Sequence, residues 1–543
     1  MLCQSFYLML SRCLPRRTAA VLMLLCAFSV SMPADARSKV FARPARPAAP
    51  HVLTTLPPEI AQILARAGVS ADHVAMMVAP VVPPGAVNAP SSPTNNAAAG
   101  GLAAPPLYAP VATSRLLWHV DTPMNPASVM KLVTTYAGLD LLGPGYLWKT
   151  RVYAQGPIVN GVLHGNLVIE GGGDPKLVVE RLNALMQAIQ AQGVRVVQGD
   201  MLLSNRVFDL PPHNPAAFDD DPLRAYNAGP DGLLVNFGAL IFQFSPDPVT
   251  GQVHVTTEPL IANVQVPAEV PGDPGACGDW RAKLALDFAD PTQVHFAGSY
   301  PLACGDQQWG LAYPDAAQFA PRVFDALWRA NGGSLTGQVK WINGPIPAPT
   351  KLLLTEVSPP LADIIADINK FSNNVMAQQL FLTLSATGDG GLYSSDLERG
   401  SFARSRQRVA RWWRSRFGLR TAPLLDNGAG LSRDARISAA SLVALLQQAA
   451  NDPAAAAPFM HSLSIAGVDG TLVHFADRHP GSQAIGKAML KTGTLRDVVA
   501  IAGYVPGRSG RIYAIAGIIN DPNAPAARPA LEQLVQWTLR DQP

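Results

Sequence analysis

Apolar residues recur with a helical period over 57–68, where Ile60, Ile63 and Leu64 fall on one stripe. Residues 73–82 are continuously apolar and partly β-branched, which predicts a strand, and 115–120 resume as another. Residues 132–142 are apolar on every side and stop at Gly143-Pro144-Gly145, the pattern of a buried helix closed by breakers. Two strands around the turn Asn160-Gly161 are predicted over 150–170, ending at Gly171-Gly172-Gly173-Asp174-Pro175. No Lys-Ser/Thr pair follows that glycine run, so it reads as a tight backbone turn and not as a phosphate loop. Short strands and frequent prolines over 176–350 predict an inserted β-rich region of one or two subdomains. A helical pattern returns at 357–384 and 400–417, and Asn427-Gly428-Ala429-Gly430 reads as a turn. Ser438 is placed to cap a helix over 439–450. Strands follow at 489–493, 498–505 and 511–519, and a helix at 528–540. Residues 83–112 are rich in Pro, Ala, Gly and Asn without period, which predicts a disordered loop.

The 543-residue length exceeds one core, and 48% hydrophobic with 15% charged residues is ordinary globular composition. A formal net charge of +3 gives no reason to invoke nucleic acid. Residues 1–36 read as a secretory signal: Arg12, Arg16 and Arg17 precede a short apolar run, and Ala34-Asp35-Ala36 offers a small-x-small cleavage site. Residues 37–56 read as a flexible lead. Cleavage would leave two of the five cysteines, Cys277 and Cys304. An even pair in an exported chain predicts a disulfide, worth roughly 3 kcal/mol by chain entropy. No later apolar run is long enough to span a membrane, so the mature chain is expected in the periplasm or cell envelope without a transmembrane segment.

Three short motifs carry the chemistry: Ser128-Val129-Met130-Lys131, Ser372-Asn373-Asn374 and Lys491-Thr492-Gly493. This ordered set is the S-x-x-K, S-x-N, K-T-G signature of serine acyl-transferring enzymes. A serine hydroxyl needs a base before it attacks, and the i, i+3 spacing sets Lys131 beside Ser128 on one helix face. Lys131 serves as that base only when neutral, which requires burial and nearby positive charge, part of it from Lys491. The backbone N–H of Ser128 lies at a helix start, where an oxyanion can form. Ser372 can relay protons to a leaving amine, and Asn374 offers an amide to a substrate carbonyl. In the third motif lysine supplies charge, threonine a hydroxyl, and Gly493 room for a close backbone. The chain has only ten lysines, and Ser128 is the only serine three residues before one. His474 and His479 flank a polar loop and are expected to be solvated, and Asp426 and Asp469 to serve glycine turns. Histidines show no metal-ligand spacing, so neither metal nor cofactor is expected.

On these residues the chain resembles the D-alanyl-D-alanine carboxypeptidase/endopeptidase family of penicillin-binding proteins, the low-molecular-mass class C group (peptidase family S13). The resemblance extends to Asn125-Pro126-Ala127-Ser128, Gly173-Asp174-Pro175, Gly430-Leu431-Ser432-Arg433, Gly467-Val468-Asp469-Gly470-Thr471-Leu472, Lys491-Thr492-Gly493-Thr494-Leu495 and Ala502-Gly503-Tyr504-Val505, and to the 244-residue gap between Ser128 and Ser372. It implies an α/β (α+β) transpeptidase-like core around a five-stranded antiparallel sheet, split into 57–175 and 351–543 by the insertion at 176–350. It also implies Ser128 as nucleophile, Lys131 as base, Ser372 as relay and Asn374 as a substrate holder. Lys491 would supply electrostatics, Thr492 and Thr494 would grip a carboxylate, and the N–H groups of Ser128 and Thr494 would form the oxyanion hole. The substrates would be peptidoglycan stem peptides or D-alanyl cross-links, and β-lactams would acylate Ser128.

The chain departs from the family pattern at the loop 83–112, at Asn427-Gly428-Ala429-Gly430 in place of Asp-Gly-Ser-Gly, and at Arg496-Asp497. Two other readings remain. A β-lactamase requires fast deacylation, and no convincing glutamate loop lies between the first two motifs. A non-catalytic cell-wall scaffold would not need the intact motif residues.

Overall fold

Alternate side chains of the strand Val74–Pro80 enter two different cores. Ala75, Met77 and Ala79 join one cluster, and Val74, Met76 and Val78 join another. The strand Ile512–Asn520 divides likewise, with Ala514, Ala516 and Ile518 on one face and Tyr513, Ile515 and Ile519 on the other. A strand's two-residue period does this wherever both faces of a sheet are covered, which is why these segments read as unbroken apolar runs.

These strands belong to a six-stranded antiparallel sheet in the computed structural model, which describes residues 52–82, 114–342, 344–346, 348–386, 399–418 and 422–541. The segment 1–36, most of the lead and the loop 83–112 lie outside them. The strand order is Ser464–Ile465, Met489–Leu495, Val498–Pro506, Ile512–Asn520, Val74–Pro80, Leu116–Trp118. One strand more than the family resemblance implied is present, because the two-residue strand Ser464–Ile465 pairs with Met489 and Leu490. One face carries the helices Lys131–Leu142, Leu361–Lys370, Asn374–Ala386, Phe402–Phe417 and Ala439–Ala450. Ala500, Ala502, Ala514 and Ala516 contribute small side chains to that face. The other face carries Pro58–Arg66 and Arg528–Leu539. Lys131–Leu142 is buried from Lys131 through Leu139, so it runs through the interior and not over the surface.

Lys149–Gln155 and Asn166–Glu170 pair in a second, mixed sheet with Met201–Ser204, Val339–Trp341 and Lys351–Val357. The predicted pair of strands over 150–170 is therefore four. Ile158–Val159 and Val162–Leu163 form a small extra hairpin across Asn160 and Gly161, both at positive φ. A third sheet built on Ala239–Pro246 encloses an aromatic cluster of Phe242, Phe244, Trp280, Phe288 and Tyr300. Cys277 and Cys304 are joined by a disulfide that packs against this cluster. The stretch 176–350 is less purely β than expected, since Val179–Ala191 and Ala316–Ala330 are helices. Leu182, Leu185, Met186 and Ile189 carry the helical period of the first, and Phe319, Val323, Phe324 and Leu327 that of the second. Prolines around these stripes obscured them.

Candidate active site

The turn before Ser128 is held from several sides. Asn125 accepts from the Ala127 N–H at 2.9 Å and donates to the Ser432 carbonyl at 2.9 Å. Its own backbone N–H and carbonyl pair with the Asn520 side chain at 2.7 and 2.9 Å. Ala127 is thereby held at φ 47°, a left-handed conformation unusual for a residue with a Cβ. Ala127–Met130 then makes a 3₁₀ turn, and Lys131 opens the α-helix. The spacing predicted both motif residues on the first turn of one helix. Instead Ser128 lies in the tighter turn ahead of it, and Lys131 Nζ still reaches Ser128 Oγ at 2.9 Å.

Lys131 is fully buried, and its Nζ has two further neighbours at 2.7 Å, Asn374 Oδ1 and the Ala429 carbonyl. None of the three is a carboxylate. Burial pushes its amine well below the usual lysine range, and the charge of Lys491 pushes it further. A neutral amine has two N–H bonds and one lone pair. The two carbonyl oxygens can only accept, so they take both N–H bonds and the lone pair is left for the Ser128 hydroxyl. That is the protonation state a base needs.

Lys491 is also fully buried, and burial lowers its amine to about 7. Its Nζ donates to Ser372 Oγ at 2.9 Å and to the Thr492 carbonyl at 2.8 Å. Ser372 does not lie within a helix. The run 357–384 breaks into Leu361–Lys370 and Asn374–Ala386, and Ser372 sits in the link at φ 58°. The break separates its hydroxyl from Asn374, so Ser372 meets Lys491 while Asn374 meets Lys131.

The remaining motif residues also make contacts within the chain itself. The Asn374 Nδ2, expected to hold substrate, donates to the Tyr226 carbonyl at 3.1 Å, which ties the inserted region to the site. A Cβ on Gly493 would come within 2.5 Å of the Pro126 carbonyl and 3.1 Å of the Ser128 nitrogen. Gly493 therefore lets the strand Met489–Leu495 abut the chain's own serine turn. The turn 427–430 contributes the Ala429 backbone carbonyl to Lys131, which any residue type supplies. Asp497 pairs with Arg433 at 2.9 Å, and that guanidinium lies over the Phe218 ring. Thr492 Oγ1 bonds Thr471 Oγ1 at 2.7 Å, while Thr494 is exposed on the same strand. Asp469 is more than a turn residue, since it pairs with Lys370. His479 is not simply solvated, because it bonds Glu532 at 2.7 Å. Asn520, Tyr226 and Thr471 were not singled out individually from sequence. All three act through links between distant segments that no local motif records.

A partly exposed serine beside a buried lysine whose amine is shifted toward the neutral form, with a second buried amine behind it, has the groups that acyl transfer requires. Comparisons with known proteins agree. Residues 108–541 match the model of the D-Ala-D-Ala carboxypeptidase 3 (S13) family. The chain is 30% identical over 416 residues to a D-alanyl-D-alanine carboxypeptidase of Actinomadura sp. (strain R39), covering 74% of each chain. It is 24% identical over 408 residues to D-alanyl-D-alanine carboxypeptidase DacB of Haemophilus influenzae, covering 74% of this chain and 82% of the relative. The crystal structure of penicillin binding protein 4 (dacB) from Haemophilus influenzae superposes with a TM-score of 0.64 at 19% identity, over 88% of this chain and 99% of that one.

Proposed function

Since the chain belongs to the D-Ala-D-Ala carboxypeptidase 3 (S13) family, we propose that Ser128 is the acylated nucleophile of a serine D-Ala-D-Ala carboxypeptidase that works on peptidoglycan peptides. Lys131 takes the Ser128 proton as Oγ attacks the carbonyl carbon of the penultimate D-Ala. The oxyanion forms at the backbone N–H groups of Ser128 and Thr494. As the C–N bond breaks, the Lys131 proton passes by way of Ser372 to the departing amine. This leaves an ester on Ser128, which water hydrolyses to regenerate the serine and release the shortened peptide. A D-alanyl cross-link enters the same steps with a different amine. A β-lactam enters them with its ring amide and remains bound as the ester.

The single observation that carries this reading is the Lys131 amine, fully buried, without a carboxylate partner among the described residues and 2.9 Å from Ser128 Oγ. Beyond Met489 and Leu490 the outer edge of the strand Met489–Leu495 has no strand neighbour among the described residues. That edge offers main-chain hydrogen bonds to an extended peptide. No helix among the described residues is long and apolar enough to cross a membrane. Action outside the cytoplasm, in the periplasm or cell envelope, is part of the proposal; it is supported by the signal-like start and the disulfide.

The test is intact-protein mass after incubation with benzylpenicillin, for the wild type and Ser128→Ala. A stable one-equivalent adduct on the wild type alone is expected. Hydrolysed drug with unmodified protein would make the chain a β-lactamase, and intact drug with unmodified protein would make it a non-catalytic binder.

A further inference from the structure

Arg528 opens the helix Arg528–Leu539, and its guanidinium Nη2 lies 3.4 Å from Thr494 Oγ1. It is exposed, and among the described residues no carboxylate pairs with it. Its position is costly for the fold, because a cation in a helix's first turn opposes the positive end of the helix dipole. The amino-acid pattern gives it no structural partner that would offset this. Thr494, in contrast, lies on the strand that borders the catalytic serine, beside Gly493 and its contact with the Ser128 turn.

The cation of the strand Met489–Leu495 itself is badly suited to hold an anion outside the protein. Lys491 is fully buried, its amine is lowered to about 7, and it donates to Ser372 and to its neighbour's carbonyl. The Thr492 hydroxyl is engaged with Thr471. An arginine keeps its charge at every physiological pH and presents a planar fork that fits a carboxylate in two-point contact.

Resting on the serine carboxypeptidase reading above, we infer that Arg528 is a specificity-determining residue that receives, together with Thr494, the carboxylate on the carbon next to the scissile nitrogen. In a terminal D-Ala this is the free C-terminal carboxylate; in benzylpenicillin it is the carboxylate beside the ring nitrogen. The inference also sorts cross-links. Those whose acceptor amine sits on a carbon bearing a carboxylate are accepted, and those formed on a plain side-chain amine are poor substrates.

The experiment compares the second-order rate of Ser128 acylation by benzylpenicillin with that by its methyl ester, followed by intact-protein mass, in wild type, Arg528→Gln and Arg528→Lys. The acid-to-ester rate ratio is expected to fall at least tenfold in Arg528→Gln, to recover in part in Arg528→Lys, and to shrink with added salt in the wild type. An unchanged ratio in Arg528→Gln, whether both rates persist or fall together, would overturn the inference, since a purely structural role lowers both rates alike. Absence of any adduct on the wild-type protein would instead overturn the enzyme reading on which it rests.

Discussion

Among the described residues Lys131 has three polar neighbours, none of them a carboxylate, so its chemistry follows from where its N–H bonds go. Asn374→Asp tests this directly, because it places a carboxylate where the amide oxygen lies 2.7 Å from Nζ. The amine would be held protonated, and each unit of upward shift is worth about 1.4 kcal/mol. Acylation by benzylpenicillin at neutral pH is expected to drop about a hundredfold, with the acid limb of the pH–rate profile moved up. An unshifted limb would separate Lys131 from the base role. Acylation in this scheme needs Lys131 neutral and Lys491 charged, so kcat/KM for acylation should be bell-shaped, with its falling limb near pH 7 where Lys491 loses its charge. Lys491→Arg, which cannot lose that charge in this range, should extend the falling limb to higher pH. Both amines titrate lower in the folded chain than in the unfolded one, where a lysine sits near 10.4. Between about pH 7 and 10 the unfolded chain therefore binds more protons, and stability should rise with pH across that window. Urea midpoints at pH 7 and 9 would check the sign. From sequence, the S-x-x-K spacing gave the neighbourhood of Lys131 and Ser128. The Ala429 carbonyl could not be anticipated, since a backbone group leaves no side-chain signature.

Among the elements, those with strong period and clear ends were legible. The Ser438 cap is one, its side chain accepting from the Ser441 N–H ahead of Ala439–Ala450. Ser438→Ala should cost about 1 kcal/mol, read as a lowered urea midpoint. The break at Ser372 was hidden, because apolar residues continue on both sides of it and three polar residues are weak punctuation. Gly493 marks the closest approach of two elements, and a Cβ there would meet the Pro126 carbonyl at 2.5 Å. Gly493→Ala is expected to push the strand away from the serine turn, slowing acylation at least tenfold at a stability cost of about 1–3 kcal/mol. Near-normal acylation in a folded Gly493→Ala protein would mean the turn tolerates that movement.

In the whole molecule the groups proposed as catalytic come from positions as far apart as Ser128 and Lys491, and the antiparallel sheet with its covering helices brings them together. The inserted region touches this site through the Tyr226 carbonyl, while its disulfide packs on a separate aromatic core. Removing the disulfide by Cys277→Ser with Cys304→Ser should therefore destabilise the inserted region by about 3 kcal/mol, given its 27-residue separation, and leave Ser128 acylation nearly intact. Acylation lost in parallel with the melting transition would show that the two regions unfold as one. The sequence by itself determined the candidate chemistry: the ordered motifs, the buried helix that Lys131 opens and the strands of the lysine motif follow from residue type and short-range period. Tertiary structure alone decided how the amines are used. Which carbonyls consume the Lys131 N–H bonds, which hydroxyl meets Lys491, and which guanidinium stands beside Thr494 depend on contacts between segments far apart in the chain, and local spacing carries no information about those distances.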